Sequence, residues 1–175
     1  MDTLTSHECT NCGHAVRPEL RNYRYAESGL SNVVLKNLEV ADCTNCGNSD
    51  VILPRIAKIH RAIAHAIANS PTRLTGEQLR FLRSHLRLSG DELGRYMCID
   101  KTKISKWEQG EDRIGPSNDR LVRLLVAALD SEMRAGVHAI AEHLPLISDE
   151  SGTSRELHVD VVTLQTAFVS VLKAA

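Results

Sequence analysis

The pentapeptide CTNCG stands at residues 9–13 and returns, letter for letter, at 43–47. No other feature restricts the folding of this chain as much. Two residues between cysteines let both sulfurs of a tight knuckle face one point, and two knuckles supply four thiolates, the tetrahedral set that structural zinc prefers. Glycine after each second cysteine permits the positive φ that such a turn needs. The 30 residues between Cys12 and Cys43 are enough for a hairpin that folds the second knuckle onto the first. The spacing therefore predicts Cys9, Cys12, Cys43 and Cys46 as ligands of one structural Zn2+, with other metals as the alternative. A redox CxxC is expected where a strand opens a helix in a βαβ unit, and a zinc deaminase needs H-x-E followed by P-C-x-x-C. Neither copy has either context. His7 and His14 flank the first knuckle and are read as solvent-exposed rather than as ligands. Cys98 has no partner at metal spacing and is expected in the core. A site closed by four thiolates leaves no open coordination position, so no enzyme is expected.

Aromatic residues make up only 3% of the 175-residue chain, against 42% apolar residues overall. A core built from Leu, Ile, Val and Ala favours helices. The N-terminus is polar, without a signal-like apolar segment, and no apolar run is long enough to span a bilayer. A cytoplasmic protein with reduced thiols is the expectation, with no membrane partner, which again favours metal over disulfides. The net charge of −1 is unevenly spread: residues 73–125 carry 11 basic and 8 acidic groups, residues 126–175 carry 3 and 7. The basic middle is where a polyanion would dock.

Between the knuckles, Asn22–Glu27 and Val33–Val40 read as strands joined through Ser28 and Gly29. A helix begins just after Pro54, with Ile52, Ile56, Ile59, Ile63 and Ile67 as its apolar stripe, and ends at Asn69-Ser70-Pro71. TGEQ at 75–78 and SGDE at 89–92 are capping boxes. Asp100 is a third N-cap, and Gly110 stops the helix it opens. A longer helix is expected from Asp119 to Leu144, then a polar linker. In the last segment Leu157, Val159 and Val161 alternate like a strand, whereas Leu164, Phe168, Val171 and Leu172 have helical spacing. The expected class is α+β, mainly α. It comprises a zinc-binding β lobe (1–53), a linker helix (54–71), a five-helix DNA-binding domain (72–130) and a C-terminal extension (131–175) that is a candidate for dimerisation.

The stretch LSGDELGRYMCIDKTKISKWEQG has the layout of a helix-turn-helix: a capped helix over 90–97, a turn through Cys98, Ile99 and Asp100, and a second helix over 101–109. Leu93, Ile99, Ile104 and Trp107 take the core side. Lys101, Thr102, Lys103, Ser105 and Lys106 take the open side, where they can donate hydrogen bonds to bases or phosphates. Ser89, at the N-cap of the first helix, joins them as a DNA-binding candidate. A solvated basic helix is the plainer alternative, against which the caps, the glycine stop and the apolar spacing argue. Glu108 is expected to pair with Arg83 or Arg87.

A CxxCG…CxxCG lobe followed by this helical segment resembles the MqsA (YgiT-type) family of antitoxins and regulators, with its Cro/Xre-type DNA-binding domain. The likeness covers roughly residues 6–128 and includes both CTNCG copies, VVLKNLEV and the stretch from Leu88 to Leu125. It implies the same four cysteine ligands, a homodimer on a palindromic operator, autoregulation as a repressor, and a lobe that holds a toxin protein. The alternative is a stand-alone Xre-type regulator with no toxin partner. The two base-reading positions of the family fall on Thr102 and Lys106, where Asn and Arg are usual. Lys cannot reproduce the Arg fork on guanine, so base preference need not follow the family.

Overall fold

The computed structural model describes residues 6–133, 137–148 and 156–166, and the chain is mixed α/β with the cysteine cluster at its N-terminal end. His7–Glu8 (β1) pairs antiparallel with Ala15–Val16 (β2), closing the first knuckle as a miniature hairpin. Glu19–Arg24 (β3) and Val33–Asp42 (β4) form the main hairpin, and Ser49–Ile52 (β5) lies antiparallel on the far edge of β4. The first strand thus ends earlier than expected. The chain turns through a short 3-10 segment, Ala26–Ser28, which Gly29 closes at φ 77°. Along β4 the residues buried in the main core run Val33, Leu35, then Leu38, Val40. The jump of one residue coincides with a register shift opposite Arg21 and Tyr23, where Asn37 takes φ 56°. A β-bulge there returns the apolar side chains to the inner face, and Asn tolerates the left-handed backbone better than most residues.

Ile56–Ala68 (α1) crosses that inner face with Ile59, Ile63 and Ile67 buried. The stripe is shorter than the sequence suggests. Ile52 belongs to β5, and Ile56 is 47% exposed. Gly76–His85 (α2), Gly90–Met97 (α3), Lys101–Gln109 (α4) and Pro116–Leu129 (α5) follow. Residues 72–130 therefore hold four helices rather than five. Both capping boxes form with the reciprocal hydrogen bonds their sequences imply, the Asp100 carboxylate accepts from the Thr102 amide at 2.7 Å, and Gly110 stops α4 at φ 76°.

The helix expected over Asp119–Leu144 breaks at Asp130, whose ψ of 113° leaves the helical region. The reason is polar. The Asp130 carboxylate accepts from Arg61 Nε at 3.1 Å and from the amides of Glu132 and Met133, and it lies 2.8 Å from His85 Nε2. A continued helix would carry that carboxylate away from α1 and α2. The chain resumes as Val137–His143 (α6), followed by a 3-10 turn at Leu144–Leu146.

Leu157–Asp160 (β6) and Val161–Thr166 (α7) resolve the ambiguous tail as strand and then helix. Phe168, Val171 and Leu172 lie outside the described residues, as do 149–155 of the expected linker. β6 joins the N-terminal sheet parallel to β4, pairing Val33 with Leu157 and Lys36 with Asp160, on the edge of β4 that β5 occupies further along. Val159, Val161 and Leu164 are buried in the same core as α1 and the sheet. This part of the expected C-terminal extension is thus integral to the lobe.

One apolar core runs from the sheet through α1 into α2–α6. At the joint, Arg123 is fully buried. It bonds Asp119 at 2.7 Å and donates to the carbonyls of Ile67, Ala68, Ser70 and Thr72. Those carbonyls include orphan groups at the end of α1, which a buried cation can satisfy only if it is itself paired. Asp119 supplies the pairing and also accepts from the Leu74 amide at 2.6 Å. The segment read as a boundary between domains is held by this pair. Among the described residues no helix is long and apolar enough to cross a membrane.

Candidate metal centre and nucleic-acid interface

The repeated pentapeptide produces a repeated structure. In each copy the first cysteine's amide donates to the carbonyl five residues on, at 2.8 Å (Cys9 to His14, Cys43 to Asn48). In each copy the glycine amide returns to that cysteine's carbonyl (Gly13 to Cys9 at 2.9 Å, Gly47 to Cys43 at 2.8 Å). Gly13 and Gly47 have φ of 72° and 73°. A side chain at either position would be strained regardless of space.

The knuckles meet with their four sulfurs within 4.8 Å of one another, Cys9 to Cys46 at 3.7 Å and Cys12 to Cys43 at 3.5 Å. A tetrahedral ion bound at about 2.3 Å sets sulfur–sulfur edges of about 3.8 Å. The cluster therefore fits an ion at its centre, and Cys9, Cys12, Cys43 and Cys46 can together hold one. Cys9 and Cys43 are buried with Val16 and Ala41 in a small cluster of their own, while Cys12 and Cys46 face solvent.

The surroundings favour thiolate unevenly. The Asn45 side-chain amide, at 3.6 Å, and the His14 backbone amide lower the Cys12 thiol to about 6. Burial raises Cys43 to about 11. A bound cation would override that penalty, because metal coordination deprotonates a thiol outright. Asp50 clasps the knuckles together. It accepts from the Thr10 amide at 3.0 Å, from the Thr10 hydroxyl, and from the Asn48 side chain at 2.8 Å. The Thr10 bonds hold its carboxyl below the usual range. Asp50 has no sequence signal. Thr10 and Asn45 have one, since they occupy the inner letters that the two pentapeptides share.

The second site lies on α3, the turn Cys98–Asp100, and α4. Leu93, Ile104 and Trp107 are buried, so Trp107 is core rather than a stacking surface. The turn folds back so closely on α3 that a Cβ at Gly94 would come within 2.4 Å of the Ile99 carbonyl oxygen. The opposite side of α4 exposes all five expected residues, Lys101, Thr102, Lys103, Ser105 and Lys106. Ser89 is exposed as well, but its hydroxyl is engaged in the α3 cap, donating to Glu92 at 2.7 Å.

Glu108 is taken up by Arg83 in a two-pronged pair at 2.6 and 2.9 Å, which keeps it off the exposed face. Lys101 meets Asp91 at 3.4 Å, and Lys103 pairs with Asp112. Lys106 makes no ion pair among the described residues. Sequence reasoning missed both acidic partners. Asp112 lies just past the glycine stop and Asp91 in the first turn of α3, where an acid also suits the helix dipole. Cys98, expected in the core, is exposed. It caps α3 at φ 55°, a left-handed geometry that aims its side chain outward. Comparison with family models, with curated proteins and with solved structures gives no match.

Proposed function

We propose that this protein is a cytoplasmic, sequence-specific DNA-binding regulator that acts as a repressor. In this reading α3 and α4 are a helix-turn-helix and α4 enters the major groove. One observation carries it: the five polar side chains of α4 project from a helix whose other side is locked into the core by Ile104 and Trp107. A helix held that way presents its polar face as a rigid unit. The pairing of two capped helices by a three-residue turn, within the net-basic residues 73–125, points the same way. In this reading Thr102 and Lys106 reach base edges, with Lys101, Lys103, Ser105 and Ser89 nearer the phosphates.

Zn2+ is the ion proposed for the four cysteines, since four thiolates at tetrahedral spacing suit it best. Its role is structural, and the proposed regulator is not an enzyme. The unit of binding is a homodimer on a palindrome with half-sites about 34 Å apart.

The likeness to MqsA-type proteins extends the proposal to the antitoxin of a type II pair, the lobe holding a toxin protein. An observation supports this. Leu20, Glu39 and Ile52 lie in register across three strands of the lobe, and Leu20 and Ile52 are 51% and 38% exposed. A stand-alone regulator remains the second reading if the full-length protein captures no small partner when co-expressed with its neighbouring gene.

Selection from a random duplex library tests the DNA reading. Wild type should enrich a two-fold symmetric sequence. A Thr102→Ala/Lys106→Ala variant should bind it weaker by about 1–3 kcal/mol for each lost base contact. Equal binding by wild type and variant would remove α4 from base recognition.

A further inference from the structure

We propose that Asp112 and Asp91 are restraining carboxylates that hold Lys103 and Lys101 in the free protein and so weaken its phosphate-driven binding to duplex of arbitrary sequence. This rests on the DNA-binding reading above. The two acids flank the exposed face of α4. Asp91 reaches it from α3 at the N-terminal end, and Asp112 from the turn beyond Gly110 at the C-terminal end.

Asp112 is held there by the way α4 ends. Its amide donates to the Lys106 carbonyl at 3.3 Å, and its carboxylate also accepts from the Arg113 amide at 2.8 Å. Its carboxyl lies below the usual range, through Lys103 first and then the Arg113 amide, with Lys106 contributing through space. Lys103 is further confined over the Trp107 ring, 6.0 Å from its centroid. Of the three lysines on this face, two are thus matched to a carboxylate and Lys106 is left open.

The consequence is an exchange. A duplex of arbitrary sequence offers α4 only phosphates, and each phosphate must displace a carboxylate that then stays nearby as a like charge. These exposed pairs are individually weak, so the exchange is easy but gains little. A cognate site adds base contacts from Thr102 and Lys106, which the two acids leave unpaired. The same exchange weighs on every duplex, so the carboxylates lower the overall affinity until only a site that adds base contacts is held.

The test measures binding of full-length wild type, D112N, D91N and D112N/K103Q to a random-sequence duplex across a salt series. D112N should bind about fivefold tighter at low salt, with its log–log salt slope steeper by about 0.9, the signature of one added phosphate contact. D91N should show the same change to a smaller extent, because its pair is longer. In D112N/K103Q the gain should vanish. No tightening in D112N, or a gain that survives in D112N/K103Q, would overturn the inference while leaving the DNA reading intact. Failure of wild type and D112N alike to bind duplex at low salt would remove the DNA reading and this inference with it.

Discussion

The knuckle end and the helical half of this molecule are both specified by a handful of letters, yet they are held together by different physics. The knuckles rest on two strands of two residues each and an apolar cluster of Cys9, Val16, Ala41 and Cys43. That is little buried surface for a segment to fold on unaided, and in the proposed zinc-bound form coordination would supply the remainder. The helical half relies on two capping boxes, close helix contacts and a core that continues into the sheet. The difference teaches where metal dependence should stop. The lobe's main sheet shares the large core through Val33, Leu35, Leu38 and Val40. Metal loss should therefore release the knuckles without releasing the sheet.

Variants can break or sharpen that contrast. If the cluster holds the proposed Zn2+, Cys43→Ser has the largest expected effect, because structural zinc sites supply about 10–16 kcal/mol of apparent binding energy that is also folding energy. The variant should lose bound metal and the fold of the knuckles while the helical half keeps its thermal midpoint, as metal analysis and calorimetry would show. Arg123→Met comes next. It strips the cation from a fully buried Asp119 and removes a donor from each of four carbonyls at the joint. Breaking such a pair costs about 3–5 kcal/mol, so urea unfolding should shift sharply with metal content unchanged. Gly94→Ala forces a Cβ against the Ile99 carbonyl and should cost about 1–3 kcal/mol through overpacking. The smallest change has the opposite sign: Cys98→Gly relieves a left-handed backbone and should stabilise by about 1 kcal/mol.

What was legible in the sequence was what depends on neighbours along the chain. Thr75, Ser89, Asp100 and Gly110 begin and end helices through groups no more than a few residues away, and each does so in the structure. The cysteine cluster was legible although its halves are 34 residues apart, because each half carries its own turn signal and a shared chemistry joins them. Features set by distant partners were not legible. Asp130 ends α5 because Arg61 and His85 lie beside it. Arg123 reads as an ordinary surface charge on an amphipathic helix until the end of α1 is placed against it. The tail mixes strand and helix periods because it is one and then the other, and its strand partner is β4, more than a hundred residues earlier. Cys98 looked like a core residue from composition alone. Its position one residue past the end of α3, where glycine is usual, is the signal that places it outside.

The most direct test of this account is amide hydrogen exchange on the full-length protein in three states: metal-loaded, chelated, and metal-loaded with duplex. Chelation should expose amides 7–16 and 43–49 and leave 76–109 as protected as before. Duplex should add protection over 89–110 and none at the knuckles. Loss of protection in α3 and α4 on chelation, or duplex protection centred on the knuckles, would contradict the division of the molecule into a metal-folded end and a DNA-reading helical face.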